Sequence, residues 1–295
     1  MKLLRYGPRG QEKPGLLDRD GRLRDLSSIC EDYTPAFFAG GGIERLRGVD
    51  PQTLPLVAGE PRIGACIAQP GNFIAIGLNY VQHAIETDAL IPAEPILFNK
   101  APSCLSGPYD PVILPKGSRK CDWEVEIAMV IGKPALYVDE ADALDHVAGY
   151  CVCNDVSERE MQLEHGGQWV KGKMFPSFGP LGPWLVTTDE AGDAQDLGLW
   201  LELNGRRVQD SSTSDMIFTL ARIVSYASRH VLLQPGDVIT TGTPPGVGLG
   251  MKPEQYLKPG DVMELGVAGL GVQKQTVLAW EDSPFARTKA GGHGA

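Results

Sequence analysis

Two glutamates, Glu124 and Glu126, alternate with apolar residues in the segment 122–132. Read with a period of two, this segment is a β-strand that carries Asp122 and both glutamates on one face and large apolar side chains on the other. Adjacent carboxylates repel one another and are costly to bury. A hard divalent cation, Mg²⁺ or Mn²⁺, would remove that cost because it prefers oxygen ligands. The alternative is an acidic strand edge exposed to solvent.

A second apolar run, residues 146–153, ends in Asn154 and Asp155. A strand over this run would deliver the Asp155 carboxylate to the same place as the acidic strand. Three carboxylates around one position suit Mg²⁺ or Mn²⁺. On spacing alone, a metal site and a solvated acidic strand edge both stay open, and the rest of the chain decides between them.

His83 and Glu86 lie three residues apart, so on a helical turn their side chains share a face. A carboxylate beside an imidazole orients the ring and raises its basicity, as a general base requires. The alternative for an isolated pair of this kind is an exposed ion pair on a helix.

Two further pairs of polar residues follow the predicted acidic cluster. Arg159 and Gln162 are three residues apart, which allows both to face one site, and Lys171 and Lys173 come soon after. Near a metal, one of the lysines would hold a substrate anion or an enolate oxygen. The alternative for either lysine is a place on the surface.

The composition of the 295-residue chain narrows its class. A hydrophobic fraction of 42% and a charged fraction of 22% are those of a globular protein. The net charge of -10 argues against nucleic acid and anionic membranes as partners. No apolar run has the length of a signal peptide core at the N-terminus or of a membrane-spanning helix elsewhere, and six cysteines do not make a dense disulfide framework. We expect a soluble, cytoplasmic protein.

The chain divides into three parts by its turn and composition patterns. Residues 1–70 predict a small β-rich module with a hairpin over 16–23 and a loop rich in Gly and Pro over 35–42. Residues 71–285 form a larger domain. The polar, Gly-rich residues 286–295 predict a disordered tail.

Within the larger domain, several segments predict their secondary structure. Residues 138–146 have helical composition, Ser157 is placed to cap a helix, and an apolar stripe of helical period spans 214–229. Pro-Gly-Asp turns at 235–237 and 259–261 each lead into a strand, as in β-rolls and barrels.

Taken together, these segments resemble the fumarylacetoacetate hydrolase family over roughly residues 72–280. The resemblance rests on six motifs in order: Gly77-Leu78-Asn79-Tyr80 with His83 and Glu86; Lys100-Ala101-Pro102-Ser103; Glu124-Val125-Glu126; Asn154-Asp155-Val156-Ser157 with Arg159 and Gln162; Lys173; and Pro235-Gly236-Asp237 with Thr241-Gly242-Thr243-Pro244. The small N-terminal module also resembles that of the longer family members. In one departure, Pro176 stands where many relatives have Asp.

The resemblance implies a fold, an assembly and a metal. The fold is a mixed β-roll in the β-rich α+β class, and the assembly is a homodimer. The metal is Mg²⁺ or Mn²⁺, held by Glu124, Glu126 and Asp155, with Asp122 outside the ligand set.

The resemblance also implies roles for individual residues. The family's catalytic lysine corresponds to Lys173 rather than Lys171, and His83 with Glu86 forms the pair that activates water. The residues expected to bind substrate are Tyr80, Lys100, Ser103, Arg159, Gln162 and Thr243.

The function implied is metal-assisted hydrolysis of the carbon–carbon bond of a 2,4-diketo acid, with release of pyruvate and a second acid. The metal acts as a Lewis acid, Lys173 helps hold the negative charge, and activated water attacks C4. The stretches 164–173 and 178–184 are most similar to enzymes acting on sugar-derived substrates, such as 2,4-diketo-3-deoxy-L-rhamnonate or L-fuconate, which yield pyruvate and lactate.

Two other functions remain open from the sequence. The same metal and enolate serve decarboxylation of a 2-oxo diacid, tautomerisation of a hydroxydienedioate or lysis of ureidoglycolate, none of which needs water activated at C4. A non-catalytic sugar-acid-binding protein on the same fold is the other alternative, although binding alone requires no base such as His83.

Overall fold

The computed structural model describes residues 1–287 and shows a chain built mainly of strands. The strands in chain order are β1 Lys2–Tyr6, β2 Lys13–Leu17, β3 Leu23–Asp25, β4 Phe73–Gly77, β5 Ile96–Lys100, β6 Leu105–Ser106, β7 Val112–Ile113, β8 Cys121–Asp122, β9 Val125–Ile131, β10 Val147–Asn154, β11 Ser157–Glu158, β12 Gly179–Thr187, β13 Gly198–Leu203, β14 Arg206–Ser212, β15 Val238–Thr240, β16 Val262–Val267 and β17 Gly271–Leu278. The α-helices are α1 Pro35–Ala39, α2 Gly42–Arg47, α3 Val81–Glu86, α4 Thr188–Ala191, α5 Leu220–Ser228 and α6 Pro284–Arg287. The prediction of a β-rich α+β fold is confirmed.

Most strands belong to one mixed sheet of ten strands. Its order is β3-β2-β1-β12-β10-β9-β15-β4-β5, with β6 parallel to β12 at the side. The pairing of β15 with β4 is parallel, and that of β15 with β9 is antiparallel. A second sheet has the order β14-β13-β16-β17-β7, and β8 pairs with β11.

The acidic strand lies in the middle of the large sheet. Every residue of β9 and β10 is buried, because the second sheet packs over them: β13 and β16 contact β9, and β16 and β17 contact β10. Glu124 and Glu126 are buried with β9. The alternative of an acidic edge exposed to solvent is therefore wrong.

The acidic segment is not one continuous strand. β9 begins at Val125, whereas Asp122 belongs to β8 and pairs with Ser157 of β11. This pairing also overturns the helix predicted to begin at Ser157, because its backbone joins a strand. A π-helical turn, Glu160–Glu164, follows instead.

Two other helix predictions are longer than the helices found. The segment 138–146 is helical only in a 3₁₀ turn, Ala143–His146. The segment 214–229 yields α5, which begins at Leu220 because the Thr219 side chain caps it by accepting a hydrogen bond from the Arg222 N–H.

The N-terminal segment forms the predicted hairpin, since β2 pairs antiparallel with β3. The predicted loop over 35–42 is wrong. It folds into α1 and the start of α2, because Thr34 caps α1 and Pro35 suits its first position. Since β1 pairs with β12, the N-terminal strands extend the large sheet. The domain boundary near residue 70 stays a prediction.

Most of the predicted disordered tail lies outside the described residues. Its first two residues, Ala286 and Arg287, belong to α6. Within residues 1–287, no helix has both the length and the apolar character that crossing a membrane requires.

Asp237 links the start of β15 to the start of β4. Its buried carboxylate accepts hydrogen bonds from the Asn72 N–H and side-chain amide, at 2.7 and 2.9 Å, and from the Gln234 N–H at 2.8 Å. We predict that Asp237→Ala lowers the free energy of unfolding by ~1.5–3 kcal/mol or more, because these donors lose a charged acceptor.

Urea denaturation of both forms measures this change. Asp210→Ala is the control, since Asp210 is exposed and its one ion pair within the described part of the chain, with Arg207, spans 3.8 Å. It should change stability by less than ~0.5 kcal/mol. Equal stabilities for Asp237→Ala and the unaltered protein would contradict the proposed link.

Candidate metal centre and active site

Three buried acids converge where β9 begins and β10 ends. Oxygens of Glu124, Glu126 and Asp155 lie within 4.8 Å of one another. Backbone pairing fixes this arrangement: the Asp155 N–H donates to the Glu124 carbonyl at 2.9 Å, and the Glu124 N–H donates to the Asn154 side chain at 3.1 Å. The structure thus brings together the three acids predicted to be metal ligands.

Two buried lysines neutralise part of this acidic cluster. Lys173 Nζ donates to Glu124 Oε2 at 2.7 Å and to Asp155 Oδ2 at 2.8 Å. Lys100 Nζ donates to the other Asp155 oxygen and, at 2.8 Å, to the Lys173 carbonyl. Lys171 is exposed and donates to the His165 carbonyl, so the lysine at the acids is Lys173.

The surrounding charges shift the pKa values of Glu124 and Glu126 in opposite directions. Burial acts to raise the pKa of Glu124, but Lys173 and Arg159 outweigh burial and lower that pKa to about 2. Burial and the charges of Asp155 and Glu124 raise the pKa of Glu126 well above its usual value. Without a further cation, the structure thus holds Glu124 ionised and penalises ionisation of Glu126.

Glu126 also has an unused ligand atom. Its Oε2 accepts hydrogen bonds from the Thr240 hydroxyl and, at 2.9 Å, from the Gly242 N–H. Its Oε1 is buried and has no hydrogen-bond partner among the described residues. An unsatisfied carboxylate oxygen beside two other acids fits a hard divalent cation, which would satisfy the oxygen and relieve the repulsion.

Arg159 joins the acidic cluster to its surroundings. Its guanidinium contacts Asp122 Oδ2 and Glu124 Oε1, each at 2.8 Å, and Nη1 donates to Gln162 Oε1 at 3.0 Å. Asp122 in turn accepts from the backbone N–H groups of Gly248, at 2.7 Å, and Leu249, at 3.0 Å. Asp122 is thus outside the triad, as predicted, but it holds both Arg159 and the 248–250 turn.

The predicted base lies on α3. His83 Nδ1 is 2.9 Å from Glu86 Oε1, and the other Glu86 oxygen accepts from the Gly246 N–H at 2.8 Å. His83 is buried. The alternative of an exposed helical ion pair is therefore wrong, and the carboxylate anchors the imidazole to the 241–250 loop.

One cavity of about 580 Å³, partly open to solvent, joins the acids to the histidine. It is lined by Ile76, Gly77, Leu78, His83, Thr87, Ala89, Phe98, Glu124, Glu126, Arg159, Gln162, Leu163, Trp169, Lys173, Thr243 and Leu249. Glu124, Glu126, Lys173 and the His83 imidazole therefore share one space, whereas Asp155 does not line it.

The residues predicted to bind substrate occupy different places. Arg159, Gln162 and Thr243 line the cavity. The Thr243 hydroxyl already donates to the Val125 carbonyl at 3.0 Å. Lys100, by contrast, already donates hydrogen bonds to Asp155 and to a backbone carbonyl. It therefore stabilises the acids and is not among the cavity-lining residues.

Ser103 and Tyr80 do not line the cavity. Ser103 is exposed on the 3₁₀ turn Pro102–Cys104, because β5 ends at Lys100 and Pro102 turns the chain away. Tyr80 is buried and its hydroxyl has no partner within residues 1–287. Burial and the charge of Glu126 raise the pKa of Tyr80.

Sequence reasoning missed other residues that shape the site. Thr240 orients Glu126 together with Gly242, which the sequence motif already included, and Phe98 and Trp169 form an aromatic wall of the cavity. Phe98 and Trp169 are far apart in sequence and belong to no polar motif, so no local pattern could pair them. The sequence also could not show that Thr240 lies on the strand next to β9, because that position depends on the order of strands in the sheet.

Replacing Glu126 with glutamine tests whether the triad fits an ion. Because the pKa of Glu126 is raised in the folded state, the metal-free protein loses stability as the pH rises from the usual glutamate value through the folded pKa. A neutral glutamine avoids this loss. We predict that Glu126→Gln is more stable than the unaltered protein by ~1–3 kcal/mol at mildly alkaline pH with EDTA, and gains nothing from Mn²⁺.

Thermal unfolding with EDTA and then with Mn²⁺ measures both effects. Glu264→Gln is the matched control, because Glu264 is a partly exposed strand residue whose one ion pair among residues 1–287 is with Lys274, at 3.2 Å. Its metal response should equal that of the unaltered protein. A Glu126→Gln variant that Mn²⁺ stabilises as strongly as it does the unaltered protein would contradict the assigned ligand.

Comparison with known sequences identifies relatives of this chain. A sequence model of the fumarylacetoacetate (FAA) hydrolase C-terminal family matches residues 72–278. A Burkholderia multivorans protein, named only provisionally as a hydrolase, is 59% identical over 280 residues, which make up 95% of this chain and 99% of that protein.

Solved structures share the fold over nearly the whole chain. The fumarylacetoacetate hydrolase of Exiguobacterium antarcticum is 34% identical with a TM-score of 0.82, and the match covers 95% of this chain and 99% of that one. The maleylpyruvate hydrolase of Sphingobium sp. SYK-6, solved with manganese(II) and pyruvate, is 26% identical with a TM-score of 0.76 and the same coverage. Other matching structures, from mycobacteria, carry isomerase names. The chain therefore belongs to the fumarylacetoacetate hydrolase family, as its sequence motifs predict.

Proposed function

We propose that this protein is a metal-dependent hydrolase that cleaves the carbon–carbon bond of a 2,4-diketo acid. The observation that carries the proposal is the shared cavity, which is lined by Glu124 and Glu126 of an acidic triad fitted to a divalent cation and by a histidine held by a carboxylate. A hydrolase relative solved with manganese(II) and pyruvate supports it. We propose Mg²⁺ or Mn²⁺ as the metal and, from the family resemblance alone, a homodimer.

The metal and Lys173 would both stabilise the negative charge that develops at the 2-oxo end of the substrate. A divalent cation at the triad supplies Lewis-acid stabilisation to the 2-oxo group and its enolate. Lys173 places its ammonium group within 2.7–2.8 Å of two of the three acids, so its charge acts on the same end of the substrate. Its ammonium group also lowers the pKa of Glu124, which keeps that carboxylate ionised and available as a ligand.

The Arg159–Gln162 pair determines which atom Gln162 offers to the substrate. Since Arg159 Nη1 donates to Gln162 Oε1, the amide NH₂ is the group left to face the cavity. An N–H donor there stabilises the negative charge that develops on the C4 oxygen when water adds. Arg159 itself acts as a positioning residue, because Asp122 and Glu124 occupy its guanidinium.

His83 acts on water. With Nδ1 held by Glu86, Nε2 is the ring nitrogen that accepts a proton from water, and the hydroxide adds to C4. The C3–C4 bond then breaks, and its electron pair forms the enolate of pyruvate. C3 receives a proton, and the products are pyruvate and a second carboxylic acid.

We propose 2,4-diketo-3-deoxy-L-rhamnonate as the substrate, with pyruvate and lactate as products, within non-phosphorylative sugar breakdown. Support comes from the resemblance of the stretches 164–173 and 178–184 to enzymes acting on sugar-derived diketo acids. In this structure those stretches contribute Trp169 and Lys173 to the cavity. A cytoplasmic location remains a prediction from composition.

Isomerisation on the same site is the second candidate. Two mycobacterial structures that are 30% identical to this chain carry isomerase names. Decarboxylation of a 2-oxo diacid and lysis of ureidoglycolate use the same metal and enolate. None of these reactions requires water at C4, so the His83–Glu86 pair favours hydrolysis over them. The pair also argues against a non-catalytic sugar-acid-binding protein.

A pyruvate assay with two substrates tests the proposal. We predict that a 2,4-diketo-3-deoxy sugar acid and a simple acylpyruvate both yield pyruvate, only with Mg²⁺ or Mn²⁺, and that the sugar acid reacts faster. His83→Ala should lower kcat about 10²–10⁴-fold, because the general base is lost. Gln82→Ala, an exposed position on the same helix, is the matched control and should keep full activity.

The outcomes separate the candidates. Full activity of His83→Ala would favour isomerisation or decarboxylation over hydrolysis. Absence of pyruvate from both substrates at any metal concentration would contradict the hydrolase. Tight binding of the sugar acid without turnover would then indicate a binding protein.

A further inference from the structure

We infer that the cavity selects substrates with a single carboxylate and an uncharged far end, and that Phe98, Trp169 and Leu163 determine this selection. The inference rests on the proposed function and narrows its substrate class. Three observations carry it: the balance of buried charge, the ion pairs that the cations lining the cavity already form, and the apolar wall next to these cations.

Apart from the His83–Glu86 pair, the buried charges around the cavity balance for one substrate carboxylate. Four carboxylates and three cations leave one negative charge; they are Asp122, Glu124, Glu126, Asp155, Lys100, Arg159 and Lys173. A divalent cation at the triad and one substrate carboxylate bring the sum to zero. A second substrate carboxylate would leave a net negative charge in a buried site, which is unfavourable.

Both cations that line the cavity in the described chain are already ion-paired, although Arg159 Nη2 makes no hydrogen bond within residues 1–287. Within residues 1–287, the lysine and arginine side chains that line the cavity are Lys173 and Arg159. Lys173 is bound to Glu124 and Asp155, and Arg159 to Asp122 and Glu124. His83, the other group that can carry a positive charge, already faces the carboxylate of Glu86.

An apolar wall begins where the charged cluster ends. Lys173 Nζ lies 5.3 Å from the centre of the Phe98 ring, and that ring packs edge-to-face on Trp169 at 5.6 Å. The Phe98 ring is thus next to the catalytic lysine, and the Trp169 ring packs against Phe98. Leu163, which follows Gln162 in sequence, also lines this cavity and is 44% exposed.

Gly77 makes room for the indole. A Cβ atom on Gly77 would lie 2.3 Å from the Trp169 ring, so only a residue without a side chain lets the ring pack against this strand. The close approach holds Trp169 against the cavity wall. The far part of a substrate thus meets two aromatic rings and leucine side chains rather than a cation.

Binding of unreactive 2-oxo acids tests the selection apart from catalysis. 2-Oxoheptanoate and 2-oxoheptanedioate differ only in a terminal methyl or carboxylate group. Titrated into the Mn²⁺-loaded protein and followed by tryptophan fluorescence, the monoacid should bind about tenfold or more tightly, a difference of ~1.4 kcal/mol or more. In the pyruvate assay, 2,4-dioxoheptanoate should exceed 2,4-dioxoheptanedioate in kcat/KM by a similar factor.

A charge placed at the far end should reverse the preference. Leu163→Lys adds an ammonium group beside the wall at a partly exposed position, so the diacid should gain about tenfold relative to the monoacid. Leu144→Lys is the matched control. Leu144 is 40% exposed and does not line this cavity, so its lysine should leave the preference unchanged.

Failure of this inference differs from failure of the proposed function. Equal or tighter binding of the diacid, or an unchanged preference in Leu163→Lys, would overturn the selection while pyruvate is still formed. No pyruvate from either dioxo acid would overturn the hydrolase instead. The binding titration then still reports whether the cavity discriminates between the two chain ends.

Discussion

The structure depends on one electrostatic constraint: three carboxylates are buried within 4.8 Å of one another. Their repulsion is only partly offset by Lys100, Lys173 and Arg159. The residual repulsion falls on Glu126, which has both a raised pKa and an oxygen without a hydrogen-bond partner among residues 1–287. A divalent cation would stabilise the ionised form of Glu126 and bind its free oxygen. The site is therefore arranged for an ion whose charge its own side chains do not supply.

The fold holds this unfavourable cluster in place through strand pairing. β9 and β10 are central and fully buried, so the acids cannot turn towards solvent without breaking the sheet. The surrounding groups link the acids to the rest of the site. Asp122 joins Arg159 to the 248–250 turn, and Glu86 joins His83 to the Gly246 amide. Arg159 and His83 are thereby fixed relative to the predicted metal ligands.

The sequence predicted the residues that carry the chemistry better than it predicted the structure around them. Alternation within 122–132 pointed to Glu124 and Glu126, and the acid after the next apolar run was Asp155, because local patterns carry that information. The start of β9, the strand at Ser157 and the aromatic wall depend on contacts between distant segments. Ser103 shows the same limit: it follows a motif residue in sequence, yet Pro102 turns it away from the cavity.

The most direct test of the central claim is the binding of Mn²⁺, followed by electron paramagnetic resonance of the free ion. We expect a single tight ion per chain in the unaltered protein, and loss of that binding in Glu126→Gln and Asp155→Asn, both of which leave the side-chain shape nearly unchanged. Tight Mn²⁺ binding retained at the same stoichiometry in both variants would contradict a site formed by these acids.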